Sequence, residues 1–246
     1  MFRFKQFTIQ QDRTAMKVCT DACVLGASAD VADCGVPGTA DRVSRILDIG
    51  TGTGLLALMA AQRNLTAQVD AIEVDDAAFV QAKENVAASP FAGRVRVVHR
   101  RVQDFYCDIR YDRIMTNPPF YTNHLRSPDA AVSRALHTDE LPFSELVEAV
   151  ARLMQPDGQW WVLLPPYEAG KLAELAKKVG LRPFKRLSMR HHAQKAVFRV
   201  ITGFAFEKSC IPDETLDIYE FDEETRSGGT YTVEFRALLR DFYLIF

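Results

Sequence analysis

Short apolar runs alternate along the chain with stretches whose apolar positions recur at helical spacing. Arg45–Ile49 (RILDI) reads as a buried strand and Leu55–Gln62 as the helix after it. Gln68–Glu73 is a second strand. Ala78, Phe79, Ala82 and Val86 then predict a helix over Asp75–Ala88. Val95–His99 is a third strand, and Arg113–Thr116 a fourth, closed by a double proline. Pro142–Met154 reads as a helix opening on its proline, Gln159–Leu164 as a fifth strand, and Glu168–Val179 as a helix stopped at Gly180. Phe184–Met189 and Val197–Phe206 complete the set as an antiparallel edge hairpin. Alternating strands and helices imply parallel pairing with right-handed crossovers. The expected fold is therefore α/β and Rossmann-like, with a mostly parallel seven-stranded sheet. Residues 1–44 form an N-terminal segment, 45–208 the core, and 209–246 a C-terminal tail packing on it. Residues 30–44 read as a surface loop, and Ser227-Gly228-Gly229 as a turn in the tail.

Composition narrows this only a little. The 246 residues are 48% hydrophobic and 25% charged, enough for a core of ordinary size. No apolar run of about 18 residues suggests a membrane span, and Met1–Gln6 lacks a secretory h-region. Cytoplasmic residence is the expectation. Five cysteines (19, 23, 34, 107, 210) without a C-x-x-C suggest free thiols rather than disulfides or a zinc site. The net charge of −2 excludes a uniformly basic coat. Its distribution is uneven. Leu175–Phe206 has no acid but carries Lys185, Arg186, Arg190 and five further Lys or Arg; Glu207–Glu224 has eight acids against one lysine. The basic stretch is either a phosphate-binding patch or a solvated surface.

Two motifs carry the chemistry. In Asp48-Ile-Gly50-Thr51-Gly52-Thr-Gly54, the glycines permit positive φ and bare backbone where a ligand touches it. Such a turn alone also suits a dinucleotide. Three details favour S-adenosylmethionine. Asp48 lies inside the first strand, suited to water and the methionine ammonium. Glu73 closes the second strand, suited to the ribose hydroxyls. Gln103-Asp104-Phe105 follows the third strand, where Asp104 suits the adenine amino group; Val74 and Phe105 suit its ring.

The second motif, Asn117-Pro118-Pro119-Phe120, follows the fourth strand. Asn117 Oδ1 and the Pro118 carbonyl suit the two hydrogens of an exocyclic amine, and Phe120 suits the flat face of its base. The two prolines stiffen the turn, so the acceptors are preorganised. Alignment of this kind needs neither a charged catalyst nor a metal. A base in a duplex cannot reach such a pocket, so the target is unstacked. Tyr121, His124, Arg126 and Arg134, in the segment 121–140, are candidates to grip RNA as a cover, with Lys185, Arg186 and Arg190 beside them.

Over nearly its full length the chain resembles the bacterial tRNA1(Val) (adenine-N6)-methyltransferases, class I S-adenosylmethionine-dependent enzymes. The resemblance rests on Phe4-Lys-Gln-Phe, Met16-Lys-Val, Thr20-Asp21, Ile46–Gly54, Glu73, Asn117–Phe120, Tyr167 onward, and the ending Phe235-Arg-Ala-Leu-Leu-Arg-Asp-Phe-Tyr-Leu. Cys19 and Ala22 stand where that family more often has glycine. The resemblance implies methylation of adenosine 37, next to the anticodon of a valine tRNA. It also implies that Lys17, Thr20 and Asp21 lie near the methionine end of the cofactor, which the N-terminal segment caps. The expected partner is the tRNA anticodon stem-loop, with no membrane and no obligate protein partner. The same Asn-Pro-Pro logic serves guanine N2 of ribosomal RNA, glutamine N5 of proteins, and DNA adenine. Those relatives carry additional domains for which this chain has little room. A non-catalytic RNA-binding scaffold would tolerate damage to the motifs, and here they are intact.

Overall fold

The computed structural model describes residues 1–14, 16–32, 43–120, 141–207, 213–222 and 227–246. Short strands β1 (Phe2–Arg3) and β2 (Thr8–Ile9) pair antiparallel and precede α1 (Thr20–Ser28). The core runs β3 (Arg45–Ile49), α2 (Leu55–Arg63), β4 (Gln68–Glu73), α3 (Asp76–Ala87), β5 (Val95–His99), β6 (Tyr111–Thr116), α4 (Phe143–Leu153), β7 (Met154–Leu164) and α5 (Pro166–Lys178). Then come β8 (Arg182–Arg190), β9 (Arg199–Ala205), β10 (Asp213–Asp217), β11 (Tyr219–Asp222), β12 (Ser227–Tyr231) and α6 (Val233–Leu239).

The central sheet has the order β10-β8-β9-β7-β6-β3-β4-β5, with β9 antiparallel to both neighbours and the other pairings parallel. It holds eight strands rather than seven, and the β8–β9 hairpin is not at the edge. β10 adds outside β8, with Asp213 opposite Arg186 and Asp217 opposite Arg190. Its sequence, DETLD, has too little apolar patterning to announce a strand. Opposite charges across the pair supply what the pattern lacks: Lys185 Nζ lies 3.2 Å from Glu214 Oε1, and Arg190 donates to both oxygens of Asp217 at 2.7 and 2.9 Å. The Ser227-Gly228-Gly229 turn is likewise corrected: these residues lie in β12, paired with β11.

Strand alternation divides the core. Ile46, Met115, Trp161 and Ile201 face the layer of α1, α2 and α6, whereas Leu47, Ile114, Trp160 and Val200 face α4 and α5. On α4, Leu146, Val147, Val150 and Leu153 form the buried stripe. Asp75 caps α3 by accepting from the Ala78 N–H, and Thr232 caps α6 by accepting from the Phe235 N–H. Phe4 and Phe7 stack at 4.6 Å, Phe4 also meets Tyr243, and Lys5 Nζ donates to the Phe246 carbonyl at 2.8 Å. The two ends of the described chain thus pack together beside α1.

Strand order reverses at β3, which lies between β4 and β6. Crevices at carboxyl ends beside such a reversal are where open α/β sheets hold ligands. No helix among the described residues is long and apolar enough to cross a membrane.

Candidate active site

Ile49 on β3 pairs with Thr116 on β6. The chain therefore leaves two adjacent parallel strands at the same level, at Gly50 and at Asn117, and both motifs open onto one end of the sheet. Gly50 and Thr51 each donate their N–H to the Ile72 carbonyl at 2.9 Å, tying the turn to β4. Gly50, Gly52 and Gly54 have φ of 71°, 57° and 86°. A Cβ placed on Gly50 or Gly52 meets no protein atom within 4 Å. Packing does not require glycine there. The backbone conformation does, and it leaves bare main chain beside open space.

Asp48 is fully buried. Its Oδ2 accepts from Thr51 Oγ1 at 2.5 Å and from the Ala57 N–H at 3.1 Å, while Oδ1 is buried without a partner. Burial pushes its carboxyl up to about 7 against the lowering effect of those two bonds, and the charge of Glu73 adds to the rise. A cation at Oδ1 would satisfy the orphaned atom and favour the ionised form.

Glu73 is also buried, but both its oxygens are in use. Oε2 accepts from the Gly52 N–H at 2.7 Å; Oε1 accepts from the Val74 and Asp75 N–H groups at 2.8 and 3.0 Å. Ribose hydroxyls would share oxygens that already brace the turn. Val74 is 46% exposed and offers an open apolar surface. Phe105 does not: it is buried in the α4–α5 core, because Arg152 on α4 donates to the Phe105 and Val102 carbonyls at 2.7 and 3.2 Å and draws the segment inward. Asp104 ends the 3-10 turn Val102–Asp104 and is exposed, and Gln103 Nε2 donates to Glu145.

The N-terminal arm reaches the turn through two side chains that sequence reasoning missed. Asn85 on α3 donates to the Gln10 and Thr53 carbonyls at 2.8 and 2.9 Å and accepts from the Gln10 N–H. Gln81 accepts from the Arg13 N–H. Both are buried polar residues interleaved with Ala82 and Val86, a signal the helical pattern conceals. Lys17 Nζ donates to the Gln11 carbonyl and, at 3.3 Å, to the Thr14 carbonyl, which folds the arm back on itself. Burial pushes the Cys19 and Cys23 thiols up to about 12, so both are neutral near pH 7.

Asn117 is half-buried, and its side chain makes no hydrogen bond to a described residue; Pro118 is buried, and Pro119 and Phe120 are half-buried. The Arg199 guanidinium at the start of β9 lies 4.8 Å from the Phe120 ring centre, and its Nε donates to Asp21 Oδ2 at 2.9 Å. Arg199 thereby joins the first turn of α1, where Thr20 and Asp21 lie, to the Asn117–Phe120 turn. One more arginine in a basic stretch gave no sign of this. Lys185 and Arg190 are paired with acids of β10, so the free cations expected there are not free; Arg186 is half-buried with an unpartnered Nε. Tyr121, His124, Arg126 and Arg134 lie outside the described residues.

The chain matches the methyltransferase small domain family over residues 37–173. It is 46% identical to a tRNA1(Val) (adenine(37)-N6)-methyltransferase of Dyadobacter fermentans, over all of this chain and 98% of that protein. It is 37% identical to one so named in Pedobacter heparinus, with the same coverage of each. Among solved structures, a predicted O-methyltransferase from Agrobacterium tumefaciens shares the fold at TM-score 0.64 and 16% identity, over 90% of this chain and 96% of that one. On similarity that spans both partners nearly end to end, the chain belongs to the tRNA1(Val) (adenine(37)-N6)-methyltransferase family.

Proposed function

We propose that this protein transfers a methyl group from S-adenosylmethionine to the exocyclic N6 of an adenosine in tRNA, at position 37 of tRNA1(Val). The observation that carries the reading is the pairing of Ile49 with Thr116, which sets the glycine turn and Asn117 side by side at one strand end. The relatives' names supply the substrate.

The residues fit the donor. The unpartnered Asp48 Oδ1 suits its ammonium, the open space at Gly50 and Gly52 suits close backbone approach, and Glu73 with exposed Val74 suits its nucleoside. When bound, it supplies a methyl group made electrophilic by a sulfonium. The chain's own part is to orient the amine. Adenine N6 is a weak nucleophile because its lone pair is delocalised into the ring. Asn117 Oδ1 and the Pro118 carbonyl each accept one N6 hydrogen and fix the direction of that lone pair. Phe120 lies against the base, a contact worth about 1–3 kcal/mol, and the Arg199 guanidinium 4.8 Å from its ring centre braces it. Once N6 carries the methyl, its extra proton is acidic and passes to water, so no protein base is needed. The target adenosine must leave its stack to enter, as an anticodon-loop base does readily.

The test is to incubate the protein with isotopically methyl-labelled donor and unmodified tRNA1(Val), digest the RNA, and identify the labelled nucleoside by mass. N6-methyladenosine in the position-37 fragment is expected. Label on guanine N2, or on a protein glutamine in a parallel extract, would overturn the reading.

A further inference from the structure

A column of flat groups runs from the Asn117–Phe120 turn to the surface. The Arg199 guanidinium lies 4.8 Å from the Phe120 ring centre and 5.7 Å from that of Phe198. Its Nη1 also donates to the Phe198 carbonyl at 2.9 Å. Phe198 in turn stacks on His191, with centroids 4.3 Å apart and planes 4° from parallel. His191 is exposed.

The fold explains why the column ends there. β9 is antiparallel to β7, with Val200 opposite Leu164 at the end of β7. Residues 191–198, which link β8 to β9, therefore emerge at the carboxyl end of the parallel strands, where Asn117 also lies. The Phe198 N–H donates to the Met189 carbonyl and the Lys195 N–H to the His192 carbonyl, so this connection is held by its own backbone. Lys195 in the same turn is exposed, and its ammonium pairs with no described residue. An exposed flat ring, fixed by a stack beneath it and flanked by a cation that pairs with no described residue, is the combination that holds single-stranded nucleic acid.

We propose that the outer face of His191 is a stacking site for a nucleobase neighbouring the target adenosine in the same RNA strand. The inference rests on the RNA methyltransferase reading above and adds a second base subsite to it. Arg199 braces both subsites, so the neighbour's stacking on His191 and the target's stacking on Phe120 are set by one side chain.

The test uses His191→Ala and His191→Phe in the full chain, with anticodon stem-loop RNA either intact or abasic at one neighbour of the target at a time. His191→Ala is expected to raise KM for intact RNA by between about 5- and 150-fold, the range of single-base stacking losses. kcat and donor affinity should stay near wild type. His191→Phe should restore KM. With RNA abasic at the base that stacks, wild type and His191→Ala should have the same KM. An unchanged KM for His191→Ala, or a penalty that persists at every abasic position, overturns the subsite while leaving methyl transfer intact. Failure of the wild type to methylate any adenosine overturns the subsite and the functional reading together.

Discussion

Without donor, Asp48→Asn should gain stability relative to wild type as pH rises and be the more stable of the two at pH 8. Asp48 is fully buried, with one oxygen bonded to Thr51 and Ala57 and the other orphaned. Its carboxyl is raised from 3.8 to about 7. The folded pKa lies above the unfolded one, so the neutral form's contribution to stability is complete below the unfolded value. That contribution is lost as pH rises toward about 7, above which the folded state carries a buried anion. The loss over the whole window is about 4 kcal/mol, of which about 2–3 kcal/mol falls between pH 5 and 8. Asparagine keeps an acceptor for Thr51 and Ala57 and does not titrate. Its amide NH2 at the orphaned position costs a roughly pH-independent amount, about 1–3 kcal/mol. The advantage of the variant over wild type should therefore grow by about 2–3 kcal/mol from pH 5 to 8, or roughly 5–10 °C in Tm for a chain of this size. Thermal unfolding of both proteins at the two pH values reads it directly. Saturating donor should reverse the order at pH 8, because ligand binding to the native state stabilises only the protein that binds it. A Tm difference between variant and wild type that is the same at pH 5 and pH 8 would refute the argument.

Three further outcomes are expected. Gly52→Ala meets no protein atom but must hold φ near 57°, so it should cost about 1–2 kcal/mol of stability. Calorimetry should also show donor affinity more than tenfold weaker, and an unchanged Kd would remove the turn from the donor site. Tyr111→Phe deletes the 2.6 Å bond to buried Asp70 and should cost about 1–3 kcal/mol in urea unfolding without altering donor affinity. Lys185→Ala should leave the salt dependence of tRNA binding as it is, because Glu214 already holds that ammonium; a fall in slope of about one would instead mark a phosphate contact.

The parallel core was legible because its strands are buried on both faces and read as continuous apolar runs between helical patterns. The two motifs were legible because glycine and proline report backbone constraints directly. β10 was not, since its strand character comes from Lys185 and Arg190 across the pair rather than from its own apolar residues. For the same reason the basic and acidic stretches looked independent, although Lys185 and Arg190 of the one pair with Glu214 and Asp217 of the other. Nothing local to Phe105 reveals that Arg152 clamps its carbonyl from α4 or that the ring is buried. Arg199 and Asn85 were invisible as site residues because their roles exist only across long separations, to Asp21, Phe120, Gln10 and Thr53.

The most direct measurement is the single-turnover rate of Asn117→Ala on tRNA with donor saturating, alongside its donor Kd. The Asn117 side chain bonds to no described residue, so the variant should fold as wild type. Loss of one preorganised hydrogen-bonding group should slow transfer by about 10²–10³-fold while donor Kd stays near that of wild type. Transfer at the wild-type rate would contradict the claim that this amide oxygen orients the accepting nitrogen.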